Sequence, residues 1–313
     1  MVRRYGLAAV AVLGAAAVFV VFWLLPRMAV SGGGSLTMPS SLPTLPVATA
    51  GPSGSAPPEP QVLLAVGDVA TCESGADDAV AALASRLPGT IALLGDTVYD
   101  DGSTPEFREC FDPSWGQMRS RIRPAVGNHE YHTDAASGFF TYFGDAAGEA
   151  GKGWYSYDLG AWHVVVLNSN CGEDVECWSG TEQYAWLQSD LASFHGDCLL
   201  AYWHHPRWSS GRHGNSNWVG PFWDAIRDAG GDIVLSGHDH TYERVSVDGV
   251  REFVVGTGGK SHYPFTRSPL PGTEARNDST YGLLWLALGE RTYQWQFLGL
   301  GDTGFADAGS GEC

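Results

Sequence analysis

The chain has 313 residues, 44% of them hydrophobic and 17% charged, and a formal net charge of −17. That apolar content can build a sizeable core, in one large or two small domains. The acidic excess excludes sequence-independent binding to nucleic acid or anionic lipid, so an anionic substrate would need local positive charge of the kind bound cations supply.

Arg3 and Arg4 precede an uncharged stretch, residues 5–26, that is long enough to span a bilayer. It exceeds the roughly 7 to 15 apolar residues of a cleavable signal. We expect residues 1–4 in the cytoplasm and 5–26 as an uncleaved transmembrane signal anchor. The remainder is then extracytoplasmic at the cell membrane, with Arg27 a weak counter-signal. The competing reading is secretion after cleavage near Ala29-Val30-Ser31. Residues 27–60 are dominated by Ser, Gly, Pro, Thr and Ala, which predicts an extended extracytoplasmic linker. The folded unit is expected over 61–313.

Within that unit, apolar runs at 62–66, 91–94, 162–167, 199–203, 233–235 and 253–255 predict buried strands. Helices are predicted over 77–87, 181–194 and 222–229, from acidic starts, a capping Thr181, and Pro or Gly at the ends. Residues 283–288 and 292–298 around Gly289-Glu290 predict an antiparallel hairpin. Stretches 134–153 and 267–280 read as long loops lining the mouth of a site. The alternation of strand and helix implies a mixed α/β sandwich, with ligand-binding residues gathered at strand C-terminal ends.

Six cysteines, Cys72, Cys110, Cys171, Cys177, Cys198 and Cys313, stand in the part expected to be exported, where oxidation is permitted. Order alone leaves their pairing open. We expect Cys72 with Cys110, Cys171 with Cys177 closing a small loop, and Cys198 with the terminal Cys313. No Cys-x-x-Cys occurs, and thiolates would favour other metals than the oxygen-rich sets below.

Five segments carry the chemistry: Gly67-Asp68, Gly95-Asp96-Thr97-Val98-Tyr99, Gly127-Asn128-His129-Glu130, Trp203-His204-His205-Pro206 and Gly237-His238-Asp239-His240. Singly each has an ordinary reading. An isolated Gly-Asp is commonly a turn or helix cap, and a lone His is commonly a buried hydrogen-bonded residue. Together they supply about as many hard oxygens and imidazoles as two neighbouring metal ions require, one carboxylate being shared. Two imidazoles at alternate positions of an extended segment, His238 and His240, can reach neighbouring metals. The Asn128 amide oxygen suits a hard divalent ion, which leaves His129 free for chemistry.

These segments resemble the calcineurin-like metallophosphoesterase superfamily, and specifically its purple acid phosphatase branch, over about residues 61–300. Many superfamily members carry Asp-x-His at the first segment, and here that His position is Ala70. Purple acid phosphatases lack that His too and ligate one metal through a Tyr three residues after the shared Asp; Tyr99 stands at that spacing from Asp96. The resemblance implies a four-layer α-β-β-α sandwich of two mixed sheets flanked by helices. It implies one metal on Asp68, Asp96, Tyr99 and His240 and another on Asp96, Asn128, His204 and His238, with Asp96 bridging. A phenolate ligand implies Fe(III) at the Tyr99 site, paired with a divalent Fe, Zn or Mn. His204 rather than His205 matches the family's ligand, and His213, nine residues on, matches an uncoordinated active-site His. Arg244 follows the last ligand, where an ion pair competes with contact to phosphate.

The expected activity is hydrolysis of phosphomonoesters by a metal-bound hydroxide, as in acid phosphatases, with His129 orienting the substrate and His213 or His129 protonating the leaving group. The alternatives are a phosphodiesterase of the same superfamily, acting on nucleotides or lipid-derived diesters, and a non-catalytic surface binding protein. The absence of Gly-Asp-x-x-Asp-Arg-Gly disfavours folded phosphoproteins as substrates. Beyond the phosphate ester, the expected partner is the membrane, through the anchor; no nucleic acid is expected beyond nucleotide substrates.

Overall fold

A computed structural model describes residues 36–39, 41–44, 59–172 and 174–313. The expected cytoplasmic N-terminus, the 5–26 anchor and most of the 27–60 linker lie outside the described residues. Among the described residues no helix is long and apolar enough to cross a membrane. Two described pieces of the linker stretch touch the domain: the Thr37 carbonyl accepts the Gly301 N–H (2.7 Å), and Met38 and Leu42 pack against the core.

Thirteen strands are described in chain order. They are β1 (Gln61–Val66), β2 (Thr90–Leu94), β3 (Ile122–Ala125), β4 (Tyr155–Leu159), β5 (Trp162–Val166), β6 (Cys198–Tyr202), β7 (Ile233–Ser236), β8 (Tyr242–Val247), β9 (Val250–Val255), β10 (Thr273–Asn277), β11 (Gly282–Leu288), β12 (Thr292–Gly299) and β13 (Ala308–Glu312). The helices are α1 (Ala76–Ser85), the short turns α2 (Thr104–Glu106) and α3 (Asp112–Trp115), then α4 (Ser137–Phe143), α5 (Glu182–Ser193) and α6 (Gly220–Asp228). The strands form two mixed sheets, in the orders β13-β12-β11-β1-β2-β3 and β10-β8-β9-β7-β6-β5-β4.

The apolar runs are continuous because both faces of the central strands are buried. Along β1, Leu64 and Val66 face α1 while Leu63 and Ala65 face the other sheet. In β6, Leu199 and Ala201 face the α5 and α6 side, and Leu200 and Tyr202 point inward. The three cores are therefore helix on sheet, sheet on sheet, and sheet on helix, which is the four-layer α-β-β-α sandwich. Each buried leucine contributes about 2 kcal/mol to holding the layers together.

All three expected disulfides form: Cys72–Cys110, Cys171–Cys177 and Cys198–Cys313. The last spans 115 residues in sequence and ties the chain end to the start of β6. Closing a loop of that size contributes about 5 kcal/mol in the chain-entropy picture.

The two stretches read as loops are partly regular. Within 134–153 the segment Ser-Gly-Phe-Phe-Thr-Tyr-Phe forms α4, whose Phe139 and Phe143 are buried beside Phe107. Within 267–280, β10 pairs antiparallel with β8. Neither has a clean period: α4 spans barely two turns, and β10, the sheet's edge, gains its shape from its partner strand.

Candidate metal centre

The five segments meet where the two sheets face each other at their strand ends. Gly67-Asp68 follows β1, Gly95-Asp96 follows β2, and Asn128 comes three residues after β3. His204 follows β6 and His238 follows β7. Asp68, Asp96 and His238 all adopt left-handed backbone, with φ of 58°, 46° and 69°. Such residues cost about 1–3 kcal/mol each and persist only where the surroundings over-determine them. The adjoining glycines permit close approach. A Cβ on Gly95 would lie 2.5 Å from His204 Nδ1, and one on Gly127 only 2.1 Å from the Asp96 nitrogen.

One group of side chains gathers around the Tyr99 hydroxyl. It lies 2.8 Å from Asp68 Oδ1, 3.0 Å from Asp96 Oδ2 and 3.2 Å from His240 Nε2. His240 Nε2 is in turn 3.4 Å from Asp68 Oδ1. The Ser261 carbonyl holds His240 Nδ1 at 2.8 Å, so Nδ1 carries the proton and Nε2 presents a lone pair. Tyr99 itself is set by pairing that continues past β1 and β2, its N–H donating to the Ala70 carbonyl (2.9 Å). The position where other members place a His is thus occupied by backbone that supports the tyrosine.

A second group gathers around His204 Nε2, with Asn128 Oδ1 at 3.0 Å, Asp96 Oδ1 at 3.3 Å and His238 Nδ1 at 3.3 Å. His204 donates from Nδ1 to the Leu94 carbonyl (2.8 Å), which turns Nε2 toward these groups. The two oxygens of Asp96 face different groups. Asp68, Asp96 and His204, and separately His204, His205 and His238, have donor atoms close enough to hold a common cation.

This donor chemistry fits two metal ions. Carboxylate, phenol, amide and imidazole atoms that crowd within about 3 Å are mutually repulsive or proton-starved without a cation. Ligands about 2.1 Å from a shared ion at right angles lie about 3.0 Å apart. The electrostatics agree. Burial, reinforced by the charges of Asp68 and Asp96, pushes the Tyr99 phenol well above its ordinary range, so it ionises only beside a cation. Burial opposes charge on His204, yet Asp96 raises its pKa to about 9. Burial and the neighbouring imidazoles of His205 and His204 push His238 the other way.

The His129 ring belongs to neither group, although it packs 4.4 Å from Tyr99 and its backbone N–H donates to Asp96. Its Nδ1 is 2.6 Å from the Asp100 carbonyl, and its Nε2 is 3.9 Å from Asp96 Oδ2. His213 is exposed at the tip of a loop whose Ser209, Ser210 and Gly211 are buried, and its ring lies 4.3 Å from that of His238. Arg244 does not reach the centre: it pairs with Asp307 through two nitrogens at 2.8 Å, so the ion-pair reading holds.

Sequence reading missed the residues that brace the ligands. Buried Glu130 accepts N–H groups from Thr97 (2.6 Å), Gly127 (2.7 Å) and Asp96 (3.1 Å), stitching the second segment to the third. Burial and the charge of Asp96 push its pKa up to about 8, against the pull of those donors. Asp239, between two imidazole ligands, accepts the His213 N–H (2.8 Å) and the Ser209 hydroxyl (2.6 Å). Its position inside Gly-His-x-His was the available signal. Glu243 and Glu252 pin the same loop at Ser210 and at Arg207 and Trp208.

The calcineurin-like phosphoesterase family model matches residues 61–242, more than half of the chain. Purple acid phosphatase 15 of Arabidopsis thaliana is 27% identical over 205 residues, covering 53% of this chain and 38% of that protein. An uncharacterized protein of Mycobacterium tuberculosis, Rv2577, is 28% identical over 246 residues, covering 68% of this chain and 44% of its own length. The chain thus spans less than half of these curated relatives. Among solved structures, the purple acid phosphatase PPD1 from yellow lupin seeds superposes with a TM-score of 0.67 at 18% identity, over 82% of this chain and 55% of that one. With this match and the paired donor sets, the chain belongs to the calcineurin-like phosphoesterase family, as a metallophosphoesterase of the purple acid phosphatase type.

Proposed function

We propose that this protein hydrolyses phosphomonoesters outside the cytoplasm, with Asp68, Asp96, Tyr99 and His240 holding one metal and Asp96, Asn128, His204 and His238 a second. The observation that carries the reading is the Tyr99 hydroxyl, within 3.2 Å of Asp68, Asp96 and His240. A phenolate among carboxylates favours Fe(III) there, with a divalent Fe, Zn or Mn as its partner. The extracytoplasmic assignment draws support from three disulfides among six cysteines, which persist in oxidising surroundings.

When bound, the two cations supply Lewis acidity for phosphoryl oxygens and activation of the attacking water. The chain's own residues do the rest. Asp96 aligns both donor groups through its two oxygens. His129, tethered at Nδ1 by the Asp100 carbonyl, turns Nε2 toward the centre, where it orients a phosphate oxygen. His213, held by Asp239, stands beside the second donor group and protonates the departing alkoxide.

Metal analysis of the purified protein, together with rates on a phosphomonoester and its diester analogue, tests this reading. We expect two metals per chain and faster monoester hydrolysis. Faster diester cleavage would move the assignment to a phosphodiesterase, and metal-poor protein inert on both esters would leave a non-catalytic surface protein. Iron-loaded protein without a tyrosinate-to-iron charge-transfer band, or with the band retained in Tyr99→Phe, would remove the Tyr99 iron site.

A further inference from the structure

β5 ends in Asn168-Ser169-Asn170-Cys171, a sixth strand end beside those of β6 and β7, which carry His204 and His238. Ser169 is fully buried and serves as a hub. Its Oγ accepts the His205 N–H at 3.0 Å and lies 2.9 Å from His205 Nδ1. With that oxygen already accepting, its own proton is available to Nδ1. The Ser169 carbonyl accepts the indole N–H of Trp218 at 3.2 Å. The Cys171–Cys177 disulfide and the bond from Asn170 Nδ2 to the Val126 carbonyl (3.3 Å) hold the segment.

The result is an aromatic wall leading outward from the metal centre. The His205 ring, 6% exposed, lies 4.5 Å from the His238 ring and 4.9 Å from that of His204. Trp218 stands edge-on to His205 at 5.5 Å and is 49% exposed. Among the described tryptophans only Trp178 shares such exposure. Trp218 is anchored by its N–H while its ring is open to solvent, two ring contacts from a metal-ligating imidazole. An indole held so presents a rigid stacking face.

We infer that Trp218 is a specificity residue that stacks the base of a nucleoside monophosphate whose phosphate occupies the metal centre. The inference rests on the phosphomonoesterase reading above. Centroid steps of 5.5 and 4.5 Å lead from Trp218 through His205 to His238, a gap that the ribosyl spacer of such an ester serves to cross. A phenyl ester, whose ring is joined directly to the phosphate oxygen, lacks that spacer, and a glycerol ester brings no ring. Stacking of one base on an aromatic side chain shifts affinity by about fivefold to a hundredfold.

The test compares adenosine 5′-monophosphate, 4-nitrophenyl phosphate and glycerol phosphate on wild-type protein, Trp218→Ala and Trp218→Phe. Trp218→Ala should raise KM for the nucleotide about tenfold with kcat unchanged, and leave both constants for the other esters and the metal content within twofold. Trp218→Phe should recover most of the loss. Equal changes on all three esters, or none, would overturn the inference. Should wild-type protein hydrolyse no phosphate ester, the functional reading fails, and calorimetry on metal-loaded protein still decides the subsite. Tighter binding of adenosine 5′-monophosphate than of inorganic phosphate, abolished in Trp218→Ala, supports it; equal binding of the two by wild-type protein refutes it.

Discussion

The two sheets contribute chemically opposite halves of the centre. The ends of β1, β2 and β3 bring only oxygen donors, Asp68, Asp96, Tyr99 and Asn128, while the ends of β6 and β7 bring only imidazoles, His204, His238 and His240. The oxygen half is braced from within its own sheet, chiefly by Glu130. The imidazole half is braced largely from across the interface: the Leu94 carbonyl fixes the His204 ring, and Asp68 Oδ2 accepts the His238 N–H at 2.8 Å. The oxygen half is therefore a local construction, whereas the imidazole half acquires its orientation only when the sheets pack. Metal binding and packing of the two sheets should be coupled for that reason.

Asp96→Asn breaks the junction between the halves and should have the largest effect. Loss of a group that merely supports a ligand costs about 10–100-fold, so removing the shared ligand should abolish nearly all turnover and weaken metal binding by more than about 100-fold. Two bound metals and wild-type activity in that variant would refute the bridging role. His213→Ala leaves both halves intact and should lower turnover about 100-fold with metal content unchanged, as loss of a proton donor does. Turnover equal to wild type would remove His213 from the chemistry.

Glu130→Gln attacks the oxygen half through its brace. Metal affinity, read by chelator competition, should fall about tenfold or more, because one of the two oxygens that accept these N–H groups is replaced by an NH2 donor. Unchanged affinity would show that the strand ends hold themselves. The smallest effect belongs to His163, near the opposite end of β5, clamped 2.9 Å from Asp190 and 2.8 Å from Asp158. The hydrogen bond it donates to Asp190 leads in raising its pKa, with burial opposing. Its stabilisation is thus fully present below the ordinary histidine range and is lost as pH rises through the folded value. His163→Asn should cost about 1 kcal/mol or less near pH 5.5 and almost nothing near pH 9, in melting curves, with metal content untouched. A loss that is independent of pH would assign His163 to packing alone.

Much of this was legible along the chain because central strands buried on both faces leave unbroken apolar runs, and four of the five segments follow such a run. Strands at or near the sheet edges were not. β4 carries half-buried Tyr and Ser and an exposed Asp, β13 reads Ala-Gly-Ser-Gly-Glu, and both exist as strands through their neighbours. Glu130 and Asp239 lay inside recognised segments, yet their importance consists of N–H groups delivered from 3 to 34 residues away.

The order of residue types along the chain was enough to establish the donor inventory and the exchange of Ala70 for Tyr99, while the disulfide pairing, left open by order, was an expectation that the structure reproduces. Hard oxygens and imidazoles placed directly after buried strands leave little freedom in where they gather. The resemblance favoured His204 over His205, and the tertiary structure gives their different surroundings. Both rings pack against His238, yet His204 Nε2 lies against Asp96 and Asn128 while His205 Nδ1 lies against the Ser169 hydroxyl. The tertiary structure also decided that the loop bearing His213 folds back onto His238, because the carboxylates that hold it come from β8, β9 and the turn before them, distant in sequence and adjacent only once the second sheet has formed.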